Sequence, residues 1–146
     1  MTLIEFHSGA ADKLEYTCRL LRKACASGKS VLVTGEADLV ATLDALLWRF
    51  EASSFVPHCR ETAANSTLAA SPVVLVTSLE GSGLEKDVLI NIGESLPKGF
   101  ERFDRLIEVV ASQRPDILAG RARWKDYLQR GYTPTQKAVG ETAGRS

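Results

Sequence analysis

Apolar and polar positions alternate along Leu3-Ile4-Glu5-Phe6-His7, the two-residue period of a strand. From Ala10 to Ala26, Leu14, Thr17/Cys18, Leu21 and Cys25 recur every three or four residues, the stripe of an amphipathic helix. Ser27-Gly28 ends that helix, and the β-branched run from Ser30 to Thr34 reads as a second strand. Ala37 to Trp48 is helical again, with Leu39, Leu43, Leu46 and Leu47 on one side. A loop rich in Ala, Ser and Thr is predicted from Arg49 to Pro72. Short apolar runs then predict strands at Pro72–Val76, Asp87–Ile92 and Arg105–Val110. A last helix is expected from Pro115 to Arg130, with Gly131 as its stop.

Strands that alternate with helices, several of them apolar on both faces, predict an α/β fold. The expected architecture is three-layered: a mostly parallel (mixed) sheet with helices on both faces, wound as in Rossmann folds. Its length of 146 residues suits one domain, here residues 1–136. The Gly-, Thr- and Ala-rich end, 137–146, reads as a flexible tail.

Composition narrows the function. The chain carries 18 Lys and Arg against 18 Asp and Glu, which argues against a nucleic-acid binder with a broadly basic surface. No apolar run reaches the length of a membrane helix, and the N-terminus has no basic region ahead of its apolar stretch. Three cysteines, Cys18, Cys25 and Cys59, without CxxC spacing, fit a reduced cytoplasmic protein.

Catalytic patterns fail when tested. Ser27-Gly28-Lys29-Ser30 resembles the end of a phosphate loop, but position 23 is Lys23 instead of glycine. The stretch also closes a helix, where the loop should open one. Gly81-Ser82-Gly83 lacks its third glycine, since position 86 is Lys86. His58 and Cys59 are adjacent, a poor arrangement for a nucleophile and its base. No zinc-ligand pair and no GxSxG occur. No catalytic residue, metal or cofactor is therefore expected. Thr34-Gly35-Glu36 keeps open the alternative of a nucleotide-binding enzyme.

Two patches carry more information. On the last helix Arg121, Trp124, Lys125 and Leu128 share one face, while Arg123, Tyr127 and Arg130 share a neighbouring one. Residues 114–137 hold six Lys or Arg against two Asp or Glu. This suits either an ordinary amphipathic helix or an anion pocket with an aromatic wall. Direct binding of single-stranded nucleic acid through Trp124 is a further alternative. The second patch runs from Trp48 through Phe55, Val56, Pro57 and His58, unusually apolar for a loop, and reads either as core or as a contact surface.

Both patches also resemble a known family. Leu43-Asp44-Ala45-Leu46-Leu47-Trp48 with Ser54-Phe55-Val56-Pro57-His58 is similar to the chi subunit of bacterial DNA polymerase III holoenzyme. So is Arg121-Ala122-Arg123-Trp124-Lys125 with Tyr127 and Gly131-Tyr132. The resemblance implies an accessory subunit of the clamp-loader complex without catalytic activity. It implies two partners: the psi subunit, at Trp48, Phe55, Val56, Pro57 and His58, and the acidic C-terminal tail of single-stranded DNA-binding protein. The tail would meet Arg121, Trp124, Lys125 and Leu128, so that DNA is reached only indirectly.

Overall fold

A computed structural model describes residues 1–49, 56–61, 63, 67, 71–80 and 86–139. In chain order the elements are β1 (Leu3–Ala10), α1 (Lys13–Ala26), β2 (Val31–Thr34), α2 (Ala37–Trp48), β3 (His58–Arg60), β4 (Val73–Val76), β5 (Val88–Asn91), β6 (Arg105–Ala111), α3 (Arg114–Gln129) and β7 (Thr135–Ala138). A 3-10 turn, Phe100–Arg102, precedes β6. The strands form one seven-stranded sheet in the order β3-β4-β2-β5-β6-β1-β7.

Every pairing in it is parallel, in keeping with the mostly parallel sheet expected. A parallel strand needs cover on both faces, and β2, β4 and β5 are buried at all four of their residues. On one face Val31, Val33, Leu75 and Ile90 pack under α1 and α2. On the other, Ile4, Phe6, Leu32, Leu89 and Leu106 pack with Tyr127 of α3.

Local chemistry sets the helix ends. The Asp12 carboxylate accepts from the Glu15 N–H at the start of α1, and Gly28 (φ 77°) follows its end. Pro115 lies in the first turn of α3, and Gly131 (φ 93°) lies beyond its last.

Two strands depart from the sequence pattern. β3 lies inside the segment read as loop, because His-Cys-Arg shows no apolar alternation and is held by backbone pairing to β4. β7 takes in Lys137 and Ala138, the first residues of the expected tail. All four of its side chains are exposed, and its backbone pairs with β1. Val139, buried, donates to the Ser8 carbonyl at 2.9 Å.

A candidate peptide-binding groove beside helix α3

The face of α3 singled out by sequence overlooks a groove of roughly 530 Å³ between that helix and the β1–β7 edge of the sheet. Its apolar lining is Phe6, Val110, Ile117 and Trp124. The Trp124 ring lies 5.1 Å from Phe6 at 56°, so it is half core and half wall. Arg121 and Lys125, both exposed, also line the groove, and among the described residues neither is held in an ion pair. Ser8, Gly9 and Gln136 complete it, with Gln136 donating to the Ser8 hydroxyl at 2.7 Å.

Two glycines shape this groove. At Gly120 an added Cβ would sit 3.0 Å from Val110 Cγ2, so the bare backbone lets α3 settle closely on β6. Gly9 (φ 85°) occupies the irregularity where β1 slips register against β6 between Ser8 and Ala10. Chemically the groove offers an apolar seat beside two unpaired cations. That combination suits an anionic peptide with an apolar side chain.

Of the residues expected there, the structure brings together Arg121, Trp124 and Lys125. Leu128 is 49% exposed and does not line the groove. Phe6, Ser8, Val110, Ile117, Gly120 and Gln136 were not singled out in the sequence. Phe6, Ser8, Val110 and Gln136 come from distant elements, whereas Ile117 and Gly120 lie on α3 itself, and Gln136 lies in the strand that shows no apolar pattern.

Of the three residues on the neighbouring face, Arg123 and Tyr127 turn inward and Arg130 stays exposed. Arg123 Nε donates to Glu108 Oε1 at 2.9 Å, and the Tyr127 hydroxyl donates to Glu108 Oε2. Asn91 Nδ2 donates to Glu108 Oε1 as well, and Arg123 Nη1 donates to the Glu94 carbonyl at 2.8 Å. Burial pushes the Glu108 carboxyl above the usual carboxylate range, opposed by the Arg123 charge and the three donors. The one legible sign of this cluster is an acidic residue amid the apolar run Leu106–Ala111.

The nucleotide alternative meets a crowded crevice, with a cavity of roughly 290 Å³ lined by Thr34, Gly35, Thr77, Asn91 and Lys98 beside it. Connections leave β2 and β5 in opposite directions, and between their carboxyl ends a doubly wound sheet holds its ligand. Here a Cβ on Gly35 would lie 2.7 Å from Ile92 Cγ1, and one on Gly93 would lie 2.7 Å from Glu36 Oε2. The Glu36 carboxylate accepts from the Glu94 N–H at 3.1 Å. Lys13 reaches over to the Ile92 carbonyl (2.8 Å) and to Asp116 (2.9 Å). A second cavity alongside is lined by Asp12, Glu36, Asp38, Glu94 and Asp116 with one lysine, Lys13, and so repels phosphate.

In the second patch, Trp48 is 60% exposed and its ring stands 4.8 Å from that of His58. His58 itself is buried, its Nε2 3.0 Å from Asp44 Oδ1 and its Nδ1 2.6 Å from the Val56 carbonyl. Val56 is core, packed on the α1/α2 side of the sheet, so it offers no contact surface. Pro57 is exposed, and Phe55 lies outside the described residues. Cys59 packs toward the opposite face from His58's partner Asp44, and all three cysteines are free. No group of His, Cys, Asp and Glu among the described residues could hold a metal ion. No helix among them is long and apolar enough to cross a membrane.

Fold and groove together define a parallel α/β protein with an open, cation-edged groove beside α3. The profile of the family described as "DNA polymerase III chi subunit, HolC" matches residues 1–135, and the chain belongs to that family. It is 29% identical over 137 residues to DNA polymerase III subunit chi of Pseudomonas aeruginosa, covering 90% of this chain and 93% of that protein. It is 28% identical over 119 residues to subunit chi of Escherichia coli, covering 81% and 80%. Subunit chi of Haemophilus influenzae is 26% identical over 127 residues, with 86% and 87% covered. Membership makes this a subunit of the DNA polymerase III complex that acts in DNA replication.

Proposed function

We propose that the chain is a bridging subunit that binds, in the α3 groove, the acidic C-terminal tail of single-stranded DNA-binding protein. The observation that carries this reading is the pairing of Arg121 and Lys125 with the apolar floor of Phe6, Val110, Ile117 and Trp124. A tail that ends in acidic residues, an apolar side chain and a free carboxylate matches it part for part. A guanidinium holds the carboxylate in two bonds, the ammonium adds a point charge, and the floor takes the side chain.

The exposed Trp48 and Pro57 surface then faces the psi subunit of the clamp loader. The chain has no catalytic site of its own, works in the cytoplasm and reaches DNA only through its partners. Its tail contact is small and lies at the surface, so the expected affinity is micromolar and falls with added salt. Several tails on one oligomeric partner compensate through avidity.

Titration of the chain with a tail peptide, and with the same peptide lacking its terminal residues, tests this reading. Heat on binding the intact peptide alone is expected. Equal binding of both peptides, or none of either, overturns it. Direct binding of an oligonucleotide in fluorescence anisotropy favours the nucleic-acid alternative.

A further inference from the structure

Helix α3 is seated unusually. Its buried residues are Gly120, Arg123 and Tyr127, with no aliphatic side chain among them, while Leu118 and Leu128 are 47% and 49% exposed. The stripe that holds a surface helix to its sheet is normally leucine-rich and specifies rotation only loosely. Beside the apolar packing of Ile117, Trp124 and the Tyr127 ring, two directional polar contacts hold the helix. Arg123 and Tyr127, one turn apart, each bond a different oxygen of the same Glu108 carboxylate on β6. That carboxylate is steadied by Asn91, whose amide also bonds the Ser95 carbonyl and whose Oδ1 accepts from the Gly93 N–H. Arg123 is pinned again at the Glu94 carbonyl. Two directional anchors on one rigid acceptor set both the rotation of α3 and its slide along β6.

Arg121, Trp124 and Lys125 lie on the same two turns as these anchors. A small rotation would lift Trp124 from Phe6 and swing Arg121 and Lys125 off the groove. We propose that Glu108, Arg123 and Tyr127 are positioning residues of the groove, fixing the register of α3 that presents Arg121, Trp124 and Lys125 to the peptide. This inference rests on the peptide-binding reading. It goes further by assigning part of the site's specificity to side chains that touch no ligand. Buried polar groups define register in other helical systems by the same logic.

The test compares three full-length proteins: wild type, Tyr127→Phe, and the double variant Glu108→Leu with Arg123→Met. Tyr127→Phe removes one anchor and keeps the ring packed on Phe6 and Phe100. The double variant replaces the ion pair by apolar side chains of similar size but leaves the Tyr127 hydroxyl without its acceptor, so its melting temperature is read beside its affinity. Each protein is titrated, well below its melting temperature, with a synthetic acidic peptide ending in an aromatic residue with a free carboxylate. The indole N–H resonance of Trp124 is followed without peptide. Several-fold weaker binding in both variants is expected, with a shifted Trp124 resonance, even where the double variant melts as high as wild type. Wild-type affinity in both variants, or affinity that returns as stability returns, overturns the proposal. Should wild type itself fail to bind, the peptide-binding reading falls. The Trp124 resonance then decides the positioning role by itself, supporting it if displaced in Tyr127→Phe and overturning it if unmoved.

Discussion

The ring of Trp124 stands 5.1 Å from that of Phe6, tilted by 56°, and ties helix α3 to strand β1 across the floor of the groove. Phe6 is 4% exposed, whereas Trp124 is only partly buried. The same contact is therefore core to one partner and site to the other.

The two truncations should accordingly separate. Phe6→Ala removes a buried ring and should cost about 3–5 kcal/mol. Trp124→Ala should cost about 2 kcal/mol, less than a wholly buried ring, yet abolish measurable binding of the tail peptide. Urea unfolding reads the first quantity and calorimetric titration the second. Equal stability losses in the two variants would contradict this division.

Glu108 and Arg123 are 0% and 3% exposed at the side chain, and their bond is 2.9 Å. Removing one partner leaves the other buried and unpaired, so Arg123→Ala or Glu108→Ala should each destabilise by about 3–5 kcal/mol. Arg130, by contrast, pairs with Asp126 at the surface, at 48% and 42% exposure. Arg130→Ala should leave stability nearly unchanged. Thermal melts of the three variants check the contrast directly.

At Gly120 the helix would gain from an alanine, but Val110 on the sheet stands close against the place its Cβ would take. An alanine there is a better helix former by about 1 kcal/mol. Its Cβ would press on Val110 at 3.0 and 3.3 Å, and overpacking typically costs about 1–3 kcal/mol. Gly120→Ala should lower Tm and weaken peptide binding together, because α3 moves off the floor of the groove. A raised Tm would show that Val110 yields.

Acid should weaken the fold through His7. Burial holds its pKa below the usual value of 6.5, outweighing the bond to Glu5 that raises it. Tyr16 donating to Nδ1 and Nε2–H donating to Glu5 both suit the neutral ring. The unfolded chain takes up a proton near its ordinary pKa that the folded chain refuses. The stabilising contribution is thus complete above the unfolded value and is lost as pH falls from there through the lower folded one. Urea midpoints should drop between about pH 7.5 and about pH 5.5, and the drop should shrink in His7→Phe. An undiminished drop in that variant would assign the effect to other groups.

How far the sequence carries depends on which force shapes each element. β2, β4 and β5 were legible because burial on both faces leaves an apolar run, and α2 because its leucines repeat. β3 and β7 were not, since main-chain pairing holds them and their side chains show no apolar pattern. In the groove, Arg121, Trp124 and Lys125 lie within one helical stretch and could be read from spacing. Phe6, Val110 and Gln136 meet them only through the strand order. Arg123 was the instructive miss. Charge suggests solvent, and only the partner on β6 draws it inward. Val56 takes the core alternative that the apolar loop had left open.

The role of the groove is tested most directly by calorimetric titration of wild type, Arg121→Ala and Lys125→Ala with the C-terminal tail peptide of single-stranded DNA-binding protein. Both side chains are exposed and unpaired, so both substitutions should leave Tm nearly unchanged. Each should weaken binding at least several-fold. Wild-type affinity in both variants would contradict the assignment of the groove.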